Sequence, residues 1–188
     1  MNKPIDISAV TLKTERLILR PWRLDDLDDF FAYARVDGVG QMAGWNPHKT
    51  KEDSLFILKK FIEQKKTFAI EYEGKAIGSL GIELYNEVVF PEFSDKKGRA
   101  LGFVLSKDYW NRGLMTEAVK AVIRYLFEVE KLDFILCGHY IDNYASMRVQ
   151  EKCGFRPLKI IKLPTPDGSV KDGVYNILES EKYDVIIL

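Results

Sequence analysis

The sequence predicts a mixed α/β domain built on a largely antiparallel sheet, and three observations lead there. Apolar residues alternate with period two through 67–72, 75–84 and 99–106, the pattern of half-buried strands. The dipeptide Glu73-Gly74 between the first two runs is a tight hairpin signal, which makes those strands antiparallel neighbours. After Gly113 the period changes to 3.6. Met115, Ala118, Val119, Val122, Ile123, Leu126 and Phe127 then share one helical face, while Glu117, Lys120, Arg124 and Glu128 fill the other.

The remaining elements follow in order. Residues 15–20 read as a strand flanked by charge. Leu24, Leu27, Phe30, Phe31 and Ala34 fall at helical spacing, with Asp25, Asp26, Asp28 and Asp29 in the first turns, where the helix dipole favours negative charge. Residues 37–50 are a loop rich in turn-formers: Asp37, Gly38, Gly40, Gly44, Asn46 and Pro47. Thr50 fits an N-cap with Asp53 three residues on, opening a helix whose apolar face is Leu55, Ile57, Leu58, Phe61 and Ile62. The strand from Lys75 is expected to run on towards Phe90, before a polar turn at 91–98. Beyond the helix after Gly113, residues 132–140 read as a buried strand and 143–152 as a short helix ended by Gly154. Segments 155–163 and 174–183 are expected to be the closing strands, joined through Pro164, Pro166, Asp167 and Gly168.

Composition narrows the function. The 188 residues suit one domain, 1–188, and no linker or repeat divides them. Lys plus Arg and Asp plus Glu both number 28, so nothing general attracts nucleic acid or an anionic membrane, and neither is expected as a partner. Cys137 and Cys153 form no CxxC pair or Cys/His cluster, so no metal is expected; two free thiols suit a reducing cytoplasm. The start, MNKPIDISAV, lacks the apolar core of a signal peptide. No apolar run approaches the ~18 residues of a membrane span.

The most informative segment is the strand–turn–helix GFVLSKDYWNRGLMTEAVKAVIRYLFE. A helix start leaves backbone N–H groups unpartnered and carries partial positive charge, a ready anion site. Gly113 lets a phosphate approach the backbone and can adopt positive φ, Arg112 can add a cationic contact, and Thr116 can cap the helix or bond a phosphate oxygen. A lone glycine before a helix also fits an ordinary turn, and the spacings GxxxxGK[ST] and GxGxxG are both absent. One buried strand later comes NYASMRVQEKCGF.

The pair YWNRGLMTEAV and NYASMRVQEKCGF, with TERLILRPWRLDDLDDFFAY and GWNPHKTKEDS before it, resembles the GCN5-related N-acetyltransferases (GNAT). The likeness is greatest to the branch of ribosomal-protein N-terminal acetyltransferases (RimJ/RimL-like) and extends over about 14–183. It implies a single GNAT-like domain whose sheet is splayed at the centre, at a bulge, with acetyl-CoA as co-substrate and an amine as acceptor. The backbone of Phe103, Val104 and Leu105 would then hold the pantetheine arm. The phosphate loop would fall on Asn111, Arg112, Gly113, Leu114, Met115 and Thr116. Asn111 tolerates positive φ better than most residues; Met115 replaces a small residue and is expected to narrow the space beside the pyrophosphate.

By the same resemblance Asn143 would bond the pantetheine chain and Ser146 would lie near the thioester sulfur. Each also fits the N-terminal cap of the helix. Gln150 stands where many members carry a tyrosine acid. Transfer to an amine needs a base, and Glu83 is the leading candidate, with Glu71, Glu92 or a water chain as alternatives. A backbone N–H would meet the oxyanion. Met42, Trp45, His48 and Tyr85 would shape the acceptor site, whose amine belongs to a protein N-terminus or a small molecule. The protein would act as a monomer or homodimer. The alternative is an acyl-CoA-binding sensor that has lost turnover.

Overall fold

The computed structural model describes residues 2–186. Its strands are β1 (Leu12–Lys13), β2 (Leu17–Pro21), β3 (Thr67–Tyr72), β4 (Lys75–Glu83), β5 (Gly98–Leu105), β6 (Phe134–Tyr140), β7 (Arg156–Pro164) and β8 (Val170–Glu179). They form one sheet in the order β1-β2-β3-β4-β5-β6-β8-β7. Every neighbouring pair is antiparallel except β5 and β6, which are parallel. The helices are α1 (Leu27–Ala34), α2 (Lys51–Gln64), α3 (Leu114–Glu128), α4 (Tyr144–Lys152) and α5 (Ser180–Ile186). Helix α3 is the crossover that a parallel pair requires.

Period-two burial divides the core between two helical layers. Phe68 and Ile70 join Leu80, Leu101 and the apolar face of α3 in the main core, whereas Ala69 and Ala76 meet Trp22, Phe30, Tyr33 and Leu58 under α1 and α2. A third cluster, Tyr85, Phe90, Phe93, Phe134, Leu136 and Ile177, closes one end of the sheet. Thr50 caps α2 as its spacing predicts, with Asp53 completing the capping box. Glu73 and Gly74 both take positive φ in the hairpin turn. No helix among the described residues is long and apolar enough to cross a membrane.

The sheet parts at its centre. β5 pairs with β6 only through Gly98 to Leu101, opposite Phe134 to Cys137. Beyond that point β6 stays with β8 as far as Tyr140, while β5 stays with β4 as far as Leu105. The β4–β5 register runs without a shift, so the splay arises from diverging partners and not from the bulge expected there.

Two expected boundaries differ. β4 stops at Glu83, because Asn86 caps a turn through Val88 and Val89 N–H, and Phe90 and Phe93 then fold into the end cluster. The last strand begins at Val170 and ends at Glu179; Ser180, whose N–H donates to Asp133, starts α5, and Tyr183 packs on Phe127.

The acids at the start of α1 do more than meet its dipole. Asp26 accepts two hydrogen bonds from Arg20, at 2.8 and 2.7 Å, with both residues buried; Glu71 takes the third guanidinium contact. The Asp26 hydrogen bonds, with help from Glu71, outweigh burial and raise the Arg20 pKa. Asp29 accepts from the Ala76 N–H at 2.9 Å and anchors α1 to β4. Removing Asp26 leaves the buried Arg20 guanidinium with Glu71, partly exposed, as its remaining carboxylate partner. Asp26→Ala is expected to cost about 3–5 kcal/mol in urea unfolding; a loss under ~1 kcal/mol would show that the pair carries little of the stability.

Candidate functional site

The gap between β5 and β6 opens into a cleft of about 1140 Å³. One end lies at the turn before α3, the middle at residues 102–105 of β5 and the start of α4, and the far end at the loop after α1.

The turn is shaped by two left-handed residues, Asn111 (φ 60°) and Gly113 (φ 76°). A Cβ on Gly113 would meet only Arg16 Nη2, at 3.6 Å, so the backbone angle, not crowding, calls for glycine. No side chain caps α3. Its first amides therefore keep the unpaired donors of a helix start, facing an open cleft. Leu114 and Met115 turn into the main core, at 1% and 7% exposure. Met115 is thus buried against the core and also borders the cleft beside the turn. Thr116 lines the cleft.

Glu117 braces this turn from behind. It accepts from the Thr14 hydroxyl at 2.6 Å, the Arg16 N–H at 2.9 Å and the Arg16 guanidinium at 2.7 Å, and that guanidinium also donates to the Arg112 carbonyl at 3.0 Å. Burial opposes its charge, but the Thr14 and Arg16 hydrogen bonds outweigh burial and hold the carboxyl below its ordinary pKa. On the other side, Trp110 Nε1 donates to the Leu105 carbonyl at 2.8 Å and fixes the turn to the end of β5. Sequence reading gave Trp110 no such role.

Along the middle, Gly102, Phe103, Val104 and Leu105 line the cleft with no strand on their β6 side. Asn143 caps α4, its Oδ1 accepting from Ser146 N–H at 3.2 Å, and its Nδ2 donates to the Met42 carbonyl at 3.3 Å. The Ser146 hydroxyl accepts from Gln150 Nε2 at 3.0 Å. Arg148, paired with Glu151, and Lys152 also line the cleft.

At the far end stand Met42, Trp45, His48, Phe30 and Phe61, facing Ser79, Gly81 and Glu83 of β4. Trp45 lies against Gly40, where a Cβ would come within 2.2 Å of its ring, and His48 packs on Trp45 and Phe30. His48 Nδ1 is 2.7 Å from the Ser54 hydroxyl. Burial lowers the His48 pKa against a smaller opposing pull from Asp53, which favours the neutral ring. Glu83 pairs with Lys66. The loop is tied across the cleft mouth by Asn46 Nδ2 to the Pro166 carbonyl, beside Tyr140, whose hydroxyl donates to the Pro164 carbonyl.

Most residues singled out from sequence thus meet in one cleft: Met42, Trp45, His48, Glu83, Phe103, Val104, Leu105, Asn111, Gly113, Leu114, Met115, Thr116, Asn143 and Ser146. Tyr85 does not. It is 4% exposed, meets Phe134 edge to face and donates to the Phe93 carbonyl at 2.7 Å in the end cluster. Arg112 is exposed outside the lining, its guanidinium over the Tyr109 ring. Glu71 is engaged with Arg20, and Glu92 sits exposed on the 91–93 turn. His139 and Tyr140, which sequence reading left aside, line the cleft where β6 has left β5. Among the described residues no group of three or more His, Cys, Asp or Glu side chains could hold a metal ion.

Comparison with known proteins gives a consistent picture. An acetyltransferase (GNAT) domain profile matches residues 16–156. The uncharacterized N-acetyltransferase YoaA of Bacillus subtilis is 28% identical over 158 residues, covering 80% of this chain and 85% of its own. The crystal structure of a GNAT-family acetyltransferase from Bacillus anthracis superposes with a TM-score of 0.80 at 25% identity, covering 92% of this chain and 99% of that one. RimJ of Mycobacterium smegmatis, solved in complex with CoA-disulfide, shares the fold with a TM-score of 0.75 at 19% identity, over 92% of this chain and 88% of its own.

The Glu117 brace predicts a pH signature. Its folded pKa lies below the ordinary 4.5, so its contribution is complete above pH 4.5 and fades as pH falls through the folded value. Glu117→Gln should melt below the parent protein at pH 7, and the gap should close as pH drops below that point. A gap that is constant with pH would assign the loss to packing.

Proposed function

The chain belongs to the acetyltransferase (GNAT) family, and we propose that it moves the acetyl group of acetyl-CoA onto a primary amine by direct attack. GNAT enzymes draw on acetyl-CoA, and the chain is an N-acetyltransferase by that membership. The observation that carries the fuller reading is the uncapped start of α3 opening onto the unpaired edge of β5. The first offers N–H groups and partial positive charge to a pyrophosphate. The second offers strand-like hydrogen bonds to the amides of a pantetheine arm.

In this reading the amides around 111–116 hold the phosphates, with Lys152 supplying charge nearby. The backbone of Phe103, Val104 and Leu105 holds the arm and offers an N–H to the carbonyl oxygen as it gains charge. Asn143 combines its cap with a contact to the arm. The Ser146 hydroxyl meets the departing sulfur. Glu83 takes the proton of the attacking amine, directly or through water, and the neutral His48 and Trp45 wall the acceptor.

Among the described lining residues Glu83 is the one carboxylate, and Lys66 already pairs with it. That end has little to attract a polycation. It suits an amine on a protein or peptide N-terminus, or on a small molecule with an apolar body.

Gly113→Glu sets a negative charge where the pyrophosphate would lie, and Gly113→Ala carries the same positive-φ strain without charge. In calorimetry the glutamate variant should lose about 100-fold or more in CoA affinity, equivalent to about 2.7 kcal/mol, and the alanine variant far less. Unchanged affinity in the glutamate variant would remove the phosphate-loop assignment. Ser146→Ala should lower thiol release from acetyl-CoA across an amine panel, followed with a chromogenic thiol reagent, more than it weakens CoA binding. Weaker binding with turnover intact would return Ser146 to a binding or capping role.

A further inference from the structure

We propose that Gln150, held in turn by Asn176, is a positioning residue for acyl transfer that fixes which way the Ser146 hydroxyl gives its proton. The inference rests on the reading above, in which Ser146 faces the leaving sulfur.

Ser146 and Gln150 are four residues apart on α4 and so share a face. Ser146 lines the cleft, and Gln150 lies one turn deeper with no exposed surface. Its Nε2 donates to the Ser146 Oγ at 3.0 Å, and its Oε1 accepts from Asn176 Nδ2 at 2.7 Å. Asn176 is itself 5% exposed, on β8 opposite Cys137 of β6. The three side chains form a chain of donors running from the sheet, through the helix, to the cleft.

The direction of that chain has a chemical consequence. An amide has one donating and one accepting end, whereas a hydroxyl has a single proton and can turn it either way. With Asn176 donating to Gln150 and Gln150 donating to Ser146, the inner side of the hydroxyl is taken as an acceptor. Its proton is left for a partner in the cleft. Burying two amides is costly unless they are paired. The helix cap does not require them, because Asn143 already meets the Ser146 N–H.

In the transfer step the amine nitrogen bonds the acetyl carbon, and the carbon–sulfur bond breaks with its electron pair on sulfur. The sulfur takes the Ser146 proton, water returns one to Ser146, and the amine's surplus proton leaves through Glu83 to water. Gln150 touches none of the reacting atoms. It acts by keeping the Ser146 hydroxyl from turning inward.

The test is thiol release from acetyl-CoA, with saturating methylamine and with water as acceptors, for Ser146→Ala, Gln150→Leu, Gln150→Glu and the Ser146→Ala/Gln150→Leu pair. General-acid groups contribute about 10²–10⁴-fold, and misdirecting one should forfeit ~10-fold or more of kcat in Gln150→Leu, with KM for acetyl-CoA within about 2-fold of the parent. In the Ser146→Ala background the same change should cost almost nothing further, because the two residues act as a unit. Gln150→Glu keeps the shape and adds a titration. Ionised, it accepts from Ser146 and turns the proton inward; protonated, it donates as the amide does. Its activity relative to the parent should therefore recover as pH falls. A Gln150→Leu kcat equal to the parent's, losses that multiply fully in the double variant, or a Gln150→Glu ratio flat with pH would each overturn the positioning role. A Ser146→Ala protein with undiminished turnover would instead overturn the reading beneath it.

Discussion

The parting of β5 from β6 is the constraint on which the rest of the molecule depends. A strand edge inside a protein leaves N–H and C=O groups that cost free energy unless something pairs them. Here β6 is committed to β8 through Gly138, His139 and Tyr140, and β5 is committed to β4 through Gly102 to Leu105. Neither can satisfy the other beyond Leu101 and Cys137. The unpaired edge is therefore a standing demand for a strand-like ligand, and it leads directly to the start of α3. The Trp110 bond to the Leu105 carbonyl keeps those two features in one frame.

Charge is handled locally, which a net charge of zero conceals. An acid in the first turn of α3 would compete with an incoming anion for the helix dipole. Glu117 stands there, but Thr14 and Arg16 engage it from outside the cleft. The same Arg16 guanidinium holds the Arg112 carbonyl. The acid thus stiffens the turn that it would otherwise weaken electrostatically, while the amides face the cleft. Arg112 itself is turned to Tyr109, Arg16 is matched by Glu117 and Arg148 by Glu151, which leaves Lys152 of the next helix to add positive charge to the cleft lining.

Local chemistry was legible in the sequence, and long-range choices were not. The helix after Gly113, the Thr50–Asp53 cap, the Glu73-Gly74 turn and the positive φ at Asn111 and Gly113 follow from residues within a few positions of each other. Tyr85 is expected in the acceptor site only because the family resemblance puts part of that site on the antiparallel meander. Its fate is decided by Phe93 and Phe134, at 8 and 49 positions away, which give its ring and hydroxyl a buried home. Met115 packs into the main core and also borders the cleft, because which side of a helix start faces the core depends on the sheet beneath it. Gln150 stood out only as a departure from the family pattern. Its partner Asn176 is 26 positions on and carries no local signature.

The two ends of the cleft differ in a way that explains this asymmetry. The end at the start of α3, which the proposed function gives to the acetyl donor, is made mainly of backbone, so a short motif specifies it. The opposite end is assembled from side chains on the loop after α1, on β4 and beside the β7–β8 turn, fastened by single contacts such as Asn143 to Met42 and Asn46 to Pro166. Trp45 depends on the absence of a side chain at Gly40, and His48 depends on Trp45, Phe30 and Ser54. Substituting any one of these reshapes the wall without touching the backbone that meets the donor. The wall at this end can therefore be reshaped while the start of α3 and the parted strands keep their form, and in the proposed reaction that leaves the choice of amine to side chains and the hold on the donor to backbone.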